Sequence, residues 1–101
     1  MNAGQSYTAS RDGRVRVEFA SNHLRRCYER YHEAVRTWGP DIAARYTERV
    51  NILLDAESFN SLFSVRALRM HPLRGQREGE YAIVLTGRAR LIVTVSEDRE
   101  T

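Results

Sequence analysis

The sequence predicts a single α+β domain, with one strand, then two helices forming a hairpin, then a mostly antiparallel twisted sheet. Three observations lead to this fold class. Polar and apolar residues alternate over residues 14–20, apolar residues recur at helical spacing over residues 23–54, and alternation returns over residues 65–95. Because strand and helix patterns are segregated along the chain, we expect the helices to cover one face of the sheet.

The chain has 101 residues, enough for one domain with its own core. Its single cysteine, Cys27, has no partner for an internal disulfide, so we expect a reducing cytoplasmic location. Residues 1–13 are rich in small and polar types and are interpreted as a flexible leader before a domain at residues 14–101. No apolar segment approaches the ~20 residues of a membrane span.

The basic residues are all arginine, 16 of them against 13 acidic residues, for a net charge of +3. Residues 66–92 contain six arginines and two glutamates, so the basic excess lies in the second half of the chain. The planar guanidinium group suits phosphate and stacks on bases. Two explanations stay open, namely a GC-rich genome that favours arginine codons and a surface that binds phosphate.

Apolar residues spaced three and four apart predict a first helix from His23 to Trp38, with Ser21 or Asn22 as its cap. Gly39 ends this helix, and Pro40 suits the first turn of a second one. The short Gly-Pro joint predicts an αα-hairpin.

After the second helix the helical periodicity is lost. Phe59 and Leu62 are expected to anchor an irregular turn to the core. Strands are predicted over residues 65–70, 81–86 and 88–95, where apolar residues alternate with polar ones. We expect the last strand to place alternate residues on a core face and on an opposite face that carries arginine.

His71 follows the strand predicted at residues 65–70 and precedes Pro72, which favours an extended backbone before it. Imidazole groups exchange protons near neutral pH, so His71 is a candidate general acid or base. The alternative is an ordinary, partly exposed histidine. His23 and His32 are interpreted as surface residues, and no spacing in the chain predicts a metal site.

Four arginines form the second candidate group. Arg74 and Arg77 flank a turn glycine, Gly75, while Arg88 and Arg90 belong to the hairpin that follows. We expect strand pairing to bring them towards one concave edge, where fixed guanidinium groups would stabilise a phosphorane-like charge. Arginine does not act as a general base, so the contribution would be electrostatic. The alternative is a solvated basic hairpin.

Tyr81 is the third candidate, because an aromatic ring beside basic groups can stack on a nucleobase. Its place in an alternating set with Ile83 and Leu85 is also typical of a core residue. From the residues alone, the core interpretation is favoured.

The segment "MHPLRGQREGEYAIVLTGRARLIV" resembles the signature of the HigB-like toxins, the plasmid maintenance system killer proteins of the RelE/ParE superfamily. The order of elements over residues 15–95 also resembles the RelE fold. The resemblance rests on His71, Pro72, Leu73, Arg74, Gly75, Arg77, Gly79, Tyr81, Gly87 and Arg90.

The resemblance implies the toxin of a type II toxin–antitoxin system, a ribosome-dependent, metal-free mRNA endonuclease (mRNA interferase) that acts by 2′-hydroxyl attack. It implies no cofactor and no membrane partner, but a ribosome, mRNA and a cognate helix-turn-helix, HigA-like antitoxin. The catalytic residues it implies are His71, Arg74 and Arg90. Arg77 and Tyr81 of the same segment are expected to bind RNA or phosphate, and the neighbouring basic residues Arg69 and Arg88 are further candidates for that role.

Members of this family usually continue into a further strand whose Tyr/His or Asp/His-type residues contribute to catalysis. The present sequence ends in "SEDRET", where that strand would begin. An alternative expectation is therefore a truncated, catalytically impaired toxin that acts as an antitoxin-binding, corepressor module. A third is a general basic RNA binder with a steep salt dependence.

Overall fold

The computed structural model describes residues 2–9, 15–74 and 79–97, which form five strands and three α-helices. The strands are β1 (Asn2–Ala9), β2 (Val15–Phe19), β3 (His71–Pro72), β4 (Glu80–Thr86) and β5 (Ala89–Glu97). The helices are α1 (Asn22–Glu29), α2 (Tyr31–Trp38) and α3 (Pro40–Asp55), and two 3₁₀ helices, Asn60–Ser64 and Arg66–Leu68, lead from α3 to β3. The predicted α+β class is confirmed.

The strands form one sheet in the order β2-β1-β5-β4-β3. Only the β1–β5 pairing is parallel among the four described pairings, so the sheet is mostly antiparallel as predicted. β3 lies at the edge, and its pairing with β4 is extended by a hydrogen bond of 2.9 Å from the Leu73 N–H to the Glu80 carbonyl oxygen. A β-bulge interrupts the β4–β5 register between Val84 and Thr86.

The leader predicted at residues 1–13 is corrected by the structure over Asn2–Ala9, which forms β1. This strand is antiparallel to β2 and parallel to β5, so it has a hydrogen-bonded neighbour on each side. Backbone hydrogen bonds along both edges stabilise a strand whatever its side chains are. For this reason the small and polar composition of residues 2–9 did not reveal β1. Residues 1 and 10–13 lie outside the described residues.

The predicted first helix is divided in two at Arg30, whose φ of −128° and ψ of 99° are extended. The division leaves the backbone bonded, because the Arg30 N–H donates to the Arg26 carbonyl oxygen at 2.8 Å and the Glu33 N–H donates to the Arg30 carbonyl oxygen at 2.9 Å. Arg30 occupies a polar position in the pattern, so apolar spacing carries no sign of the break. The predicted cap is confirmed at Ser21, whose Oγ accepts from the Leu24 N–H at 3.1 Å.

The predicted second helix and the Gly-Pro joint are confirmed. Gly39 has a φ of 88°, in the region that favours glycine, and Pro40 follows it in the first turn of α3. Trp38 of α2 packs on Tyr46 of α3 with ring centroids 4.8 Å apart. Tyr46 is fully buried, and its hydroxyl donates to the Leu24 carbonyl oxygen at 2.9 Å. One aromatic side chain thereby joins all three helices.

The core lies between the helices and one face of β4 and β5, as the sequence predicted. Leu62 is buried in the first 3₁₀ helix, and Phe59 packs against the core. The sheet contributes Ile83, Leu85, Ala89, Leu91 and Val93, and α3 contributes Ala43, Tyr46, Val50 and Leu53. No described helix is long and apolar enough to cross a membrane.

The strand predicted at residues 65–70 is wrong, because Arg66–Leu68 forms a 3₁₀ helix. Leu68 is fully buried and Val65 is half-buried. Residues three apart share one side of a 3₁₀ helix, so this turn directs both side chains to the core where a strand would separate them. A short alternating pattern is compatible with either structure, and here core packing selects the helical turn.

Candidate nucleic-acid interface

His71 lies on the edge strand β3 and is exposed. It pairs with Ala82 of β4, whose next residue, Ile83, faces the core. Because successive residues of a strand point to opposite faces, His71 belongs to the sheet face away from the helices. We call this surface the open face, and it also carries Ala82, Val84, Arg90 and Ile92.

The His71 imidazole is held by the backbone two residues before it. Its Nδ1 lies 2.9 Å from the carbonyl oxygen of Arg69. A carbonyl oxygen only accepts, so this contact assigns the ring proton to Nδ1 and leaves the lone pair of the neutral ring on Nε2. An exposed Nε2 with a fixed tautomer is what a general base requires.

Arg69 has an unusual backbone conformation, with a φ of 46° and a ψ of 41°. This left-handed conformation costs a non-glycine residue about 1–2 kcal/mol. It follows directly on the second 3₁₀ helix, and the resulting turn directs the Arg69 carbonyl oxygen at the His71 ring. The Arg69 side chain is exposed.

Arg90 lies on β5 opposite Val84 and is therefore on the open face. Its Nη1 donates to the carbonyl oxygens of Gly87 at 2.7 Å and Ala89 at 3.0 Å. The guanidinium group thus braces the β4–β5 turn, in which Gly87 has a φ of 54°. Arg88 is exposed in the same turn.

The expectation that Arg74, Arg88 and Arg90 meet at one concave edge is wrong. Arg74 follows Leu73 at the start of the connection into β4, whereas Arg88 follows the end of β4. β4 has seven residues, so about 20 Å of strand separates the two ends. The connection before a strand and the turn after it always lie at its opposite ends. Arg77, with Gly75, lies outside the described residues.

The predicted site residues that the sheet does bring to one face are His71 and Arg90, and Arg69 precedes His71 by two residues in the chain. The pairings His71–Ala82 and Arg90–Val84 put the histidine and Arg90 on the same face, with one strand between them. Strand spacing places their Cα atoms about 12 Å apart. A phosphodiester between these two positions would be within reach of the His71 and Arg90 side chains. In the structure, however, the Arg90 guanidinium is directed at the β4–β5 turn.

Arg49 of α3 organises this region and was not among the predicted residues. It is only 5% exposed, and its Nε donates to the Val84 carbonyl oxygen at 3.3 Å while Nη2 donates to the Ala67 carbonyl oxygen at 3.1 Å. Its Nη1 also pairs with the Glu48 carboxylate. Burial, with a smaller effect of Arg45, lowers the pKa of Arg49.

A signal for Arg49 does exist in the sequence. The arginine occupies a position on the apolar stripe of α3, between Tyr46 and Val50. A charged residue at a core position needs bonded partners, so its presence there indicates a buried polar anchor. Its two acceptors, Ala67 and Val84, could not be found from the sequence because both are backbone groups.

Tyr81 does not lie beside His71. Its register places it opposite Val93 on the helix-covered face, where it contacts the rings of Phe59 and Phe63. Tyr81 is half-buried, in keeping with the packing interpretation that its alternation favoured. Phe63 is exposed and was not among the predicted residues.

A separate cleft of about 360 Å³ lies between α3 and the first 3₁₀ helix. Ile52, Leu62 and Val65 supply apolar walls, and Asp55 and Glu57 add carboxylates. None of the predicted site residues lines it, and its carboxylates would repel phosphate. Among residues 2–9, 15–74 and 79–97, no three His, Cys, Asp or Glu side chains are grouped so that they could hold a metal ion.

No protein-family model, curated protein or solved structure matches this chain. The described residues themselves are therefore the basis for a functional proposal. They provide an exposed imidazole with its acceptor nitrogen free, arginines on both sides of it along the chain, and a strained turn that holds the ring.

Proposed function

We propose that this protein is a HigB-like toxin that cleaves mRNA on the ribosome as a metal-independent endoribonuclease. The observation that carries the proposal is the hydrogen bond from His71 Nδ1 to the Arg69 carbonyl oxygen, which leaves Nε2 exposed as an acceptor. General-base catalysis needs a fixed, accessible acceptor of this kind. The surrounding residues 66–77 carry arginine and no acidic side chain, as a site for a polyanion requires.

The reaction is an in-line attack of a ribose 2′-hydroxyl on the adjacent phosphorus. The His71 Nε2 accepts the 2′-hydroxyl proton as the bond from the 2′-oxygen to phosphorus forms. The bond from phosphorus to the 5′-oxygen then breaks, that oxygen takes a proton from a water molecule, and the hydroxide so formed takes the proton from His71 Nε2. The products are a 2′,3′-cyclic phosphate and a 5′-hydroxyl, and no redox or cofactor step is involved.

The arginines act by charge alone. Arg69, two residues before His71 in the chain, and Arg90, on the open face with His71, stabilise the dianionic phosphorane. Arg74, three residues after His71 and beside the start of β4, contacts a phosphate further along the RNA strand, as do Arg77 and Arg88 in this proposal. For Arg90 this role requires its guanidinium to leave the carbonyl oxygens of the β4–β5 turn when RNA binds.

The remaining parts of the proposal concern fold and partners. The succession of strand, helices and antiparallel strands over residues 15–97 supports a RelE-like arrangement. A toxin of this class would bind a helix-turn-helix, HigA-like antitoxin and act as its corepressor. Both the ribosome and the mRNA would place it in the cytoplasm.

Expression of the protein in bacteria tests the proposal. We expect growth arrest and cleavage of translated mRNA, with untranslated copies of the same message left intact. His71→Ala should abolish both effects, while His32→Ala, which alters a histidine whose side chain is 69% exposed on α2, should retain them. Soluble, folded wild-type protein that leaves translated mRNA uncut would overturn the nuclease assignment.

A second candidate function is an antitoxin-binding module without catalysis. The Arg90 guanidinium donates hydrogen bonds to the Gly87 and Ala89 carbonyl oxygens and is not directed at His71. This arrangement favours the non-catalytic function. If the protein binds a cognate HigA-like antitoxin but cleaves no RNA at any expression level, this function would be selected over the first.

A further inference from the structure

Three aromatic rings form a cluster on the helix-covered side of β4. Phe59 lies 5.5 Å from Phe63 and 5.0 Å from Tyr81, and Phe63 lies 5.9 Å from Tyr81, measured between ring centroids. All three pairs meet edge to face, the arrangement that aromatic quadrupoles favour. Each ring therefore restrains the other two.

The cluster presents one ring to solvent. Phe63 is 48% exposed, whereas Phe59 packs against the core and Tyr81 is half-buried in the sheet. A phenylalanine side chain has two rotatable bonds, and here two neighbouring rings hold it. Phe63 thus offers a flat apolar surface. Because its ring is already held in the free protein, a ligand that binds to it causes little further loss of side-chain entropy.

The other two large apolar side chains exposed in the described part of the chain have different surroundings. Tyr31 donates its hydroxyl to the Pro40 carbonyl oxygen at 3.4 Å, and Leu54 is followed by Asp55 at the end of α3. Phe63 is followed by a basic segment. Between Glu57 and Glu78, the sequence has four arginines and one histidine and no further acidic residue.

Two exposed arginines lie close to the aromatic cluster along the chain. Arg66 follows Phe63 by three residues, in the second 3₁₀ helix. In the edge strand, Pro72 of β3 pairs with Tyr81, and Arg74 follows two residues later. An exposed aromatic ring on a segment that also carries arginines suits the alternation of base and phosphate in a single-stranded nucleic acid.

We propose that Phe63 is a stacking platform for one unpaired nucleobase of single-stranded RNA, with Arg66 and Arg74 contacting the phosphates on either side. The inference rests on the proposed function in that RNA is the ligand, but it assigns a binding site separate from His71. The platform lies on the helix-covered side of β4 and the histidine on the open face, so the RNA would pass around the β3 edge of the sheet.

The test compares binding of the full chain to fluorescent oligoadenylate and to an abasic ribose-phosphate oligomer of the same length and charge. Stacking on one aromatic residue predicts that Phe63→Ala weakens oligoadenylate binding by about 5- to 150-fold. The same variant should leave affinity for the abasic oligomer unchanged. Phe63→Leu, which keeps an apolar side chain on the cluster, should lose nearly as much, and Phe63→Tyr should retain wild-type affinity.

Leu54→Ala is the matched control, because Leu54 is 49% exposed on α3 and has no ring to stack on a base. It should bind both oligomers as the wild type does. Equal wild-type affinity for the two oligomers would overturn the platform, as would equal losses in Phe63→Ala and Leu54→Ala. So would the absence of oligoadenylate binding at low salt.

The nuclease and the platform fail in different ways. Suppose that the wild type binds RNA in a base-dependent way, that Phe63→Leu loses this binding, and that the wild type does not cleave mRNA. This result would support the platform and reject the nuclease. Cleavage that depends on His71, with no contribution of Phe63 to base-dependent binding, would reject the platform and keep the nuclease. Capture of an apolar peptide in place of the oligomers would also reject the platform.

Discussion

Nδ1 of His71 donates a hydrogen bond of 2.9 Å to the carbonyl oxygen of Arg69, a residue in the left-handed conformation. The two features belong to one turn, because the left-handed residue ends the second 3₁₀ helix and starts the path into β3. Backbone strain of this kind persists where surrounding contacts enforce it, and it concentrates at functional sites. Here the buried Arg49 guanidinium, bonded to the Ala67 carbonyl oxygen, supplies that enforcement.

Replacing Arg69 by glycine should raise the free energy of unfolding by about 0.5–1 kcal/mol. Glycine adopts the left-handed conformation without the steric penalty of about 1–2 kcal/mol that arginine has there. Part of this gain is offset because glycine also increases the conformational entropy of the unfolded chain. Urea unfolding measures the difference, and Arg69→Ala, which keeps the penalty, should remain within about 0.5 kcal/mol of the wild type. Equal stabilities for the glycine and alanine variants would show that the turn is unstrained.

Replacing Arg49 by methionine should lower the free energy of unfolding by about 2–4 kcal/mol. The substitution keeps an apolar stem of similar length but leaves the carbonyl oxygens of Ala67 and Val84 without the charged donor that they have in the wild type. Arg45→Met provides the control, since that side chain is 53% exposed and should cost little.

Hydrogen exchange should locate the effect of Arg49→Met. The amide of Arg69, which donates to the Arg66 carbonyl oxygen, should exchange faster in the variant, because the second 3₁₀ helix loses its tie to α3. A variant that unfolds at the wild-type urea concentration, with unchanged exchange in this turn, would contradict the anchoring role of Arg49.

The parts of the fold predicted from the sequence are those whose pattern and packing agree. α3, β4 and β5 each have one apolar face, and that face is buried in the structure. β1 was missed because a central strand is stabilised by backbone hydrogen bonds on both edges, which composition does not report. The break at Arg30 was missed because the helical pattern continues unchanged across a residue whose backbone bonds stay satisfied.

The candidate site was predictable in its residue types and not in its geometry. His71 and the neighbouring arginines stand out by chemistry alone, but their grouping depends on strand ends and on register. Arg74 and Arg88 are separated by the length of β4, and the holding contact on His71 comes from a backbone carbonyl. Phe63 was missed because its segment was predicted only as an irregular turn, and the exposure of its ring results from the 3₁₀ helix that forms there.

Replacing Arg90 by alanine should lower the free energy of unfolding by about 1 kcal/mol. The side chain donates to two carbonyl oxygens of the β4–β5 turn, and charged hydrogen bonds at a partly exposed site are worth about that much. Arg88→Ala, one position from the same turn glycine but exposed, should change stability by less than about 0.5 kcal/mol.

The same pair of variants separates stability from RNA cleavage. If the Arg90 guanidinium moves to the substrate, Arg90→Ala should reduce cleavage more than its loss of stability accounts for at a temperature where it stays folded. Full cleavage by folded Arg90→Ala would assign the arginine to the turn alone.

Replacing Tyr46 by phenylalanine should change how stability depends on alkaline pH. Burial, with smaller effects of Cys27 and Tyr28, raises the pKa of the Tyr46 hydroxyl in the folded protein. In the unfolded chain a tyrosine ionises near pH ~10, so above that pH the unfolded state loses a proton that the folded state keeps. The wild type therefore loses up to about 1.4 kcal/mol of stability per pH unit from this group as the pH rises above ~10.

Tyr46→Phe lacks this group and should lose stability less steeply over the same pH range. Below pH ~10 it should be less stable than the wild type by about 1 kcal/mol, because the Leu24 carbonyl oxygen loses its donor. The two stabilities should therefore converge as the pH rises in urea unfolding from pH ~8 to ~11.5. Tyr31→Phe, which alters an exposed tyrosine, should follow the wild-type slope. Parallel curves for wild type and Tyr46→Phe would mean that the Tyr46 hydroxyl ionises as readily in the folded protein as in the unfolded chain.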